Sequence, residues 1–161
     1  MQEQDIHTAL NWVVAILERH GKQFQLTGGI AARSYGSPRP LTDIDLDVET
    51  GTFQSILPEL GKHIIFGPGQ AEAEDWSNYL LTLEFDGVRI NLAESSTRIF
   101  DREQSVWTEW PIDFSASTTV TLFGLQLPVI PRERLVAYKK VLDREQDKID
   151  IAAMENHGLS G

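Results

Sequence analysis

The 161-residue chain has no cysteine, which excludes disulfides, a thiol nucleophile and cysteine-ligated zinc. Long apolar runs are missing as well. The longest, Trp12 to Leu17, is six residues, against the roughly 20 that span a bilayer. The opening MQEQDIHTALN has no basic segment followed by an apolar one, so the expectation is a cytoplasmic protein with no membrane partner. Basic residues are scarce: 14 Lys and Arg against 24 Asp and Glu give a net charge of −10. A field of that sign repels nucleic acid, and any phosphate ligand then depends on a local cationic pocket. No Ser-His-Asp set, P-loop or dinucleotide fingerprint occurs, and the four histidines lack metal-ligand spacing.

What remains is ordinary globular material, 41% hydrophobic and 24% charged. The length predicts one domain over 1–161, with a core of about 5–155. Ile6, Leu10, Val13, Ile16 and Leu17 recur at helical spacing over Asp5 to His20, and Gly21 stops that helix. A short strand, Lys22 to Thr27, runs into Gly28-Gly29 and a helix of one or two turns that ends at Gly36. Thr42 to Glu49 alternates: Asp43, Asp45 and Asp47 point one way, Ile44, Leu46 and Val48 the other. A helix from Thr52 to Leu60, a strand from Lys62 to Phe66 and a polar loop over 67–77 follow. Asp86-Gly87 predicts a hairpin in which Phe85 faces Val88, Glu84 faces Arg89, Leu83 faces Ile90 and Thr82 faces Asn91. Thr97 to Asp113 reads as a short helix and a covering loop. Thr118 to Phe123 and Leu125 to Ile130 read as a hairpin at Gly124. Pro131 suits the first turn of a helix with a Leu135, Tyr138, Val141 and Leu142 stripe, and a last helix over Gln146 to Asn156 ends before Gly158.

The stretch that carries chemistry is LTGGIAARSYGSPRPLTDIDLD, Leu26 to Asp47. Two glycines follow a strand and open a helix, so backbone can approach a ligand closely and unpaired N–H groups favour an anion. After thirteen intervening residues come Asp43 and Asp45, two carboxylates on one strand face. Side chains at i and i+2 of a strand are about 6.5–7 Å apart at the backbone, which suits shared coordination of a hard cation. An acid-lined strand beside a phosphate cradle is what metal-assisted phosphoryl chemistry requires.

Leu26-Thr27-Gly28-Gly29 followed by Asp43-Ile44-Asp45-Leu46 resembles the signature of the polymerase-beta-like nucleotidyltransferases. The closing LPVIPRERLVAYKKVLDREQDKIDI resembles that family's small bacterial branch, with Lys139, Arg144, Asp147, Lys148 and Asp150 in its pattern. That branch includes lincosamide-type antibiotic nucleotidyltransferases and abortive-infection toxins. The resemblance implies an α/β (α+β) domain with a mixed, mainly antiparallel twisted sheet and flanking helices. It implies transfer of a nucleoside monophosphate from a nucleoside triphosphate (NTP) to a hydroxyl acceptor. Asp43 and Asp45 would hold Mg²⁺ or Mn²⁺, Gly28 and Gly29 would cradle the phosphates, and Arg39 and Lys139 would neutralise them.

The resemblance also implies a third carboxylate, but Gly87-Val88-Arg89-Ile90-Asn91-Leu92 places Asn91 there. An amide can coordinate a cation yet cannot act as a base near pH 7. Asp47, on the same strand face, and Glu94, on the opposite one, are the available substitutes. A bland reading of Arg39 is a simple pair with Asp43, and of Asp147 and Asp150 pairing along the helix with Arg144 and Lys148. Trp76 could stack on a base or an acceptor, or simply cover the core. The acidic composition favours a small-molecule acceptor over nucleic acid. A second reading keeps the fold without catalysis: a relative that binds a nucleotide or a protein partner, for instance within a toxin–antitoxin pair.

Overall fold

The structure is a computed structural model that describes residues 2–94 and 97–160, the last four by backbone alone. Among them the chain runs α1 (Glu3–Arg19), β1 (Phe24–Thr27), α2 (Gly28–Ser34), β2 (Asp43–Val48), α3 (Thr52–Leu60), β3 (Ile64–Glu72), β4 (Trp76–Phe85) and β5 (Val88–Glu94). It continues with β6 (Thr97–Asp101), β7 (Val106–Trp110), β8 (Thr118–Leu122), β9 (Leu125–Val129), α4 (Arg132–Leu142) and α5 (Glu145–Ser160). The strands form one sheet in the order β7-β6-β4-β5-β2-β1-β9-β8, with β3 on the other edge of β4. Only β2 with β5 and β1 with β9 pair in parallel. The sheet is therefore mixed and mainly antiparallel, as expected.

Period-2 patterning decides the two faces. Ile44, Leu46 and Val48 of β2 and Ile90 and Leu92 of β5 are fully buried in one core with Ile6, Leu10, Val13 and Leu17 of α1. The other face of the same strands carries Asp43, Asp45, Asp47 and Asn91. The Asp86-Gly87 turn has positive φ at both residues (48° and 81°), and it sets the anticipated pairing from Phe85↔Val88 to Thr82↔Asn91. No helix among the described residues is long and apolar enough to cross a membrane.

Three segments differ from expectation. The polar stretch 67–77 is mostly strand: β3 runs through Gly67-Pro68 to Glu72, and β4 starts at Trp76. Its register shifts between Ile64 and Phe66 and again between Phe66 and Gly69, so the bulged edge strand absorbs residues that read as a loop breaker. Segment 97–113 is largely the β6–β7 hairpin instead of a short helix and a loop. Asp101 closes its turn by accepting N–H bonds from Glu103 (3.0 Å) and Gln104 (3.1 Å), with Ser105 at φ 56°. At the C-terminus, α5 continues past Gly158 to Ser160.

Candidate active site

The turn from β1 into α2 brings the two halves of the motif together. Gly28 has φ +63°, and a Cβ built on it would lie 2.5 Å from Oδ2 of Asp45. No other residue fits both the left-handed backbone and that approach. A Cβ on Gly29 would meet Arg39 Nη2 at 3.0 Å. Backbone, carboxylate and guanidinium thus converge on one spot, anchored by the Thr27↔Asp45 pairing of β1 with β2.

Across the sheet the polar side chains fall into rows. One row is Thr82–Asn91–Asp45–Thr27; the next is Leu80–Ala93–Asp47–Gln25. In the first, Asn91 Nδ2 donates to Asp45 Oδ1 (3.0 Å) and Asp43 Oδ2 (3.2 Å), while its Oδ1 accepts from the Thr82 hydroxyl (3.1 Å). The two carboxylates therefore bracket a single amide nitrogen. Burial, with the charge of Asp43 added, pushes Asp45 up to about 7, against the pull of the Asn91 hydrogen bond. Burial also raises Asp43, opposed by Arg39 and Arg89.

Two half-buried carboxylates that share a neutral donor fit a divalent cation, because a hard cation at that point removes the repulsion that helps raise the pKa of Asp45. Among the described residues no cluster of three His, Cys, Asp or Glu is arranged to hold a metal. The protein side of a site here would be Asp43, Asp45 and, with its amide turned over, Asn91. Mg²⁺ commonly binds through one or two carboxylates plus water and substrate phosphate.

Of the two substitutes for the third acid, Glu94 is engaged elsewhere. Its carboxylate accepts the backbone N–H of Gly51 (2.9 Å) and Phe53 (3.0 Å), capping α3 on the far face of the sheet. Asp47 stays on the site face, 7% exposed, and accepts from Gln25 Nε2 at 2.9 Å. Burial pushes it up to about 6, which the Gln25 bond and Arg134 partly oppose.

Arg39, Lys139 and Arg144 form a chain with the two acids of α5. Arg39 donates Nε (3.0 Å) and Nη2 (2.8 Å) to Asp150 in a two-pronged contact, and does not pair directly with Asp43. Lys139 Nζ lies 3.1 Å from Asp150 and 3.3 Å from Asp147, and Arg144 Nε reaches Asp147 at 2.7 Å. Asp147 does pair with Arg144, but Asp150 pairs with Arg39 and Lys139, while Lys148 contacts Glu145. Asp147 and Asp150 are fully buried and Lys139 is 2% exposed. Burial pushes both acids upward, yet the donors around them prevail and hold both below the ordinary carboxylate range.

Beside these groups lies a cleft of about 630 Å³. Gly28, Gly29, Arg39, Asp43, Asp45, Asn91 and Lys139 all line it, as does Trp76. Five basic residues (Arg39, Arg89, Arg134, Lys139, Arg144) face three acids (Asp43, Asp45, Asp47) there, in a chain whose net charge is −10. Asp147 and Asp150, paired with Arg39, Lys139 and Arg144, offset two of those five positive charges. Sequence reasoning missed three lining residues, Trp110, Tyr138 and Arg134. The Arg134 guanidinium sits 5.1 Å over the Trp110 ring, and Tyr138 is 5.6 Å from it. Tyr138 was legible only as part of an apolar helical stripe, and Trp110 only as one of two tryptophans in a segment of unclear structure.

No family model and no curated protein matches the sequence. Solved structures do. A candidate nucleotidyltransferase from Thermotoga maritima superposes with a TM-score of 0.69 at 18% identity, over 99% of this chain and 96% of its own. The lincosamide antibiotic adenylyltransferase LnuA, solved with lincomycin bound, gives 0.63 at 15% identity over 96% and 97%. The antibiotic-resistance factor ANT(2'')-Ia, in complex with adenylyl-2''-tobramycin, gives 0.58 at 14% identity over 95% and 87%. At these identities the likeness speaks for architecture: this chain has the nucleotidyltransferase fold, in the form shared with a lincosamide adenylyltransferase.

Proposed function

We propose that the chain is a metal-dependent nucleotidyltransferase, moving a nucleoside monophosphate from an NTP to a hydroxyl of a small-molecule acceptor. The observation that carries this reading is the carboxylate pair Asp43 and Asp45, bridged by Asn91, with Asp45 against the Gly28 backbone, lining one cleft together with Arg39 and Lys139. The acceptor oxygen would bond to the α-phosphorus as the bond to the β-phosphate oxygen breaks, releasing pyrophosphate. Asp43 and Asp45 would hold Mg²⁺ or Mn²⁺, which when bound offsets the charge of the triphosphate. Backbone N–H groups at Gly28 and Gly29 would take phosphate oxygens. Arg39 and Lys139, whose partners Asp147 and Asp150 lie behind them, would add positive potential toward the same oxygens. Asn91 can orient the two carboxylates but cannot accept the hydroxyl proton. Positioning and electrostatic stabilisation supply most of the acceleration in phosphoryl transfer, so this weakens the reaction without removing it.

The test is calorimetric titration with Mg²⁺ and each NTP, followed by pyrophosphate release with and without acceptor. Metal-dependent nucleotide binding that weakens at least 100-fold in Asp43→Ala/Asp45→Ala supports the proposal; equal binding by that double variant sinks it. Asn91 also gives a specific reason to test a non-catalytic binder. Restoring the third acid with Asn91→Asp should raise turnover, whereas a chain that binds nucleotide and stays inert even then is a binding protein.

A further inference from the structure

The polar row that holds Asp45 and Asn91 continues past Thr82 onto the edge strand. Phe66 of β3 pairs with Thr82, so one face of the sheet carries Phe66, Thr82, Asn91, Asp45 and Thr27 in line. At a strand spacing of about 4.8 Å, the Phe66 backbone lies about 10 Å from Asn91 and about 14 Å from Asp45. The register shift in β3 gives this end of the row a second apolar side chain. Ile64 pairs with Leu83 and Phe66 with Thr82, so two residues of β3 advance against one of β4. Such a bulge breaks the alternation of faces. Ile64 packs against the core, whereas Ile65 and Phe66 both line the cleft, 46% and 43% exposed. A strict period of two would have returned Phe66 to the face of Ile64.

The Phe66 ring reaches along β3 to Gly69, where a Cβ would touch its Cζ at 3.6 Å. Leu80 pairs with Gly69, Ala71 follows one pleat repeat on, and both line the cleft. Ile65, Phe66, Leu80 and Ala71 thus form an apolar shelf open to a ligand. None of the four can pair with a charge or a hydroxyl, and the neighbouring Thr82 hydroxyl already donates to Asn91.

The shelf lies on a defined side of the proposed reaction. The phosphates would sit by Gly28 and Gly29, on the β1 side of β2, whereas β5, β4 and β3 lie on its other side. Attacking and leaving oxygens are roughly in line in phosphoryl transfer. Pyrophosphate leaving toward β1 therefore puts the entering hydroxyl on the β5 side and the rest of the acceptor over β4 and β3. The nucleoside is attached off that line, through another oxygen of the α-phosphorus.

We propose that the Ile65–Phe66 shelf is the acceptor subsite and takes an uncharged acceptor whose hydroxyl is joined to an aromatic or branched aliphatic body about 10 Å long. The proposal rests on the nucleotidyl-transfer reading for the direction of attack; the apolar contacts rest on the bulge and the exposed pair. 4-Biphenylmethanol, methyl α-glucoside and tobramycin serve as apolar, neutral-polyol and cationic probes in ligand-observed NMR, with Mg²⁺ and a non-hydrolysable ATP analogue present. 4-Biphenylmethanol is expected to bind the wild-type chain, and its Kd to rise about tenfold or more in Ile65→Gln/Phe66→Gln. The Mg²⁺–nucleotide Kd should stay within about twofold, which also shows that the variant folds. Phe66→Gln alone gives the same readout if the double variant melts below the assay temperature. Equal binding of 4-biphenylmethanol by variant and wild type would overturn the subsite. So would binding of only the glucoside or tobramycin, or of none of the three. Nucleotide binding that weakens together with probe binding, at an unchanged melting temperature, would give the shelf to the nucleobase. A wild-type dimer that the variant dissolves in sedimentation would give it to a second copy of the chain. Either result also overturns the proposal. Probe binding without any nucleotide binding would instead remove the transferase reading and leave the apolar ligand site standing.

Discussion

Two pairs of acids, one fully buried and one half-buried, flank the same cleft, and their electrostatics are opposite. Asp147 and Asp150 are enclosed by Arg39, Lys139 and Arg144 and titrate below the usual range despite burial. Asp43 and Asp45 are held by one neutral amide, and both titrate above it. The first pair is a finished structural unit that ties the C-terminal helices α4 and α5 to the loop before β2. The second pair is unfinished as it stands, and a site that must accept a cation from solution has that character. Charge satisfied inside the protein stabilises the fold, whereas charge left to a ligand costs stability until the ligand arrives.

The comparison is sharpest where a partner is removed. Lys139→Ala strips a buried cation from two fully buried carboxylates, and a loss of about 3–5 kcal/mol is expected in chemical denaturation. A loss below about 1 kcal/mol would break the distinction between the pairs. Asp45→Asn should do the reverse. Without divalent metal at pH 8 it removes a half-buried charge facing Asp43 and should stabilise the chain by about 1–3 kcal/mol. Its metal-dependent nucleotide binding should vanish, so stability and function move in opposite directions.

The pH dependence separates the pairs with no mutation at all. Folding raises Asp45 to about 7 and Asp47 to about 6, so the native state holds those protons more tightly than the unfolded chain. Their contribution to stability is complete below the ordinary carboxylate pKa, about 4, and fades as pH rises through 6 to 7. For Asp147 and Asp150 the sign is opposite: their contribution is present above about 4 and is lost as pH falls through their depressed values. In metal-free buffer Tm should therefore decline from pH 5 to pH 8. Adding Mg²⁺ should raise Tm more at pH 8 than at pH 5.5, because only the ionised pair binds it; an equal shift at both pH values would count against the metal site. The smallest effect is expected at Lys148→Ala. Lys148 meets only the exposed Glu145, and removing that surface pair should change stability by no more than about 0.5 kcal/mol.

Much of this was legible in the chain. Alternation over Thr42 to Glu49 assigned Asp43, Asp45 and Asp47 to one face and the core residues to the other, because side-chain period along a strand is fixed by backbone geometry. The Asp86-Gly87 turn dictated its register and placed Asn91 opposite Thr82, whereas its place beside Asp45 came from the parallel pairing of β5 with β2. The helical stripe of α1 and the glycine turn after β1 were equally local signals. Local sequence did not contain the β6–β7 hairpin: its strands are short and amphipathic only in relation to β4, and their aromatics read as well for a covering loop. Nor did it contain the partners of Arg39 and Lys139. Asp150 lies 111 residues from Arg39, and which base meets which acid follows from how α4 and α5 dock against α2, not from spacing along a helix. Periodicity and turn chemistry are properties of neighbouring residues and survive in the sequence. Charge pairing, burial and the shape of the cleft depend on segments brought together by packing, and tertiary structure alone decided them.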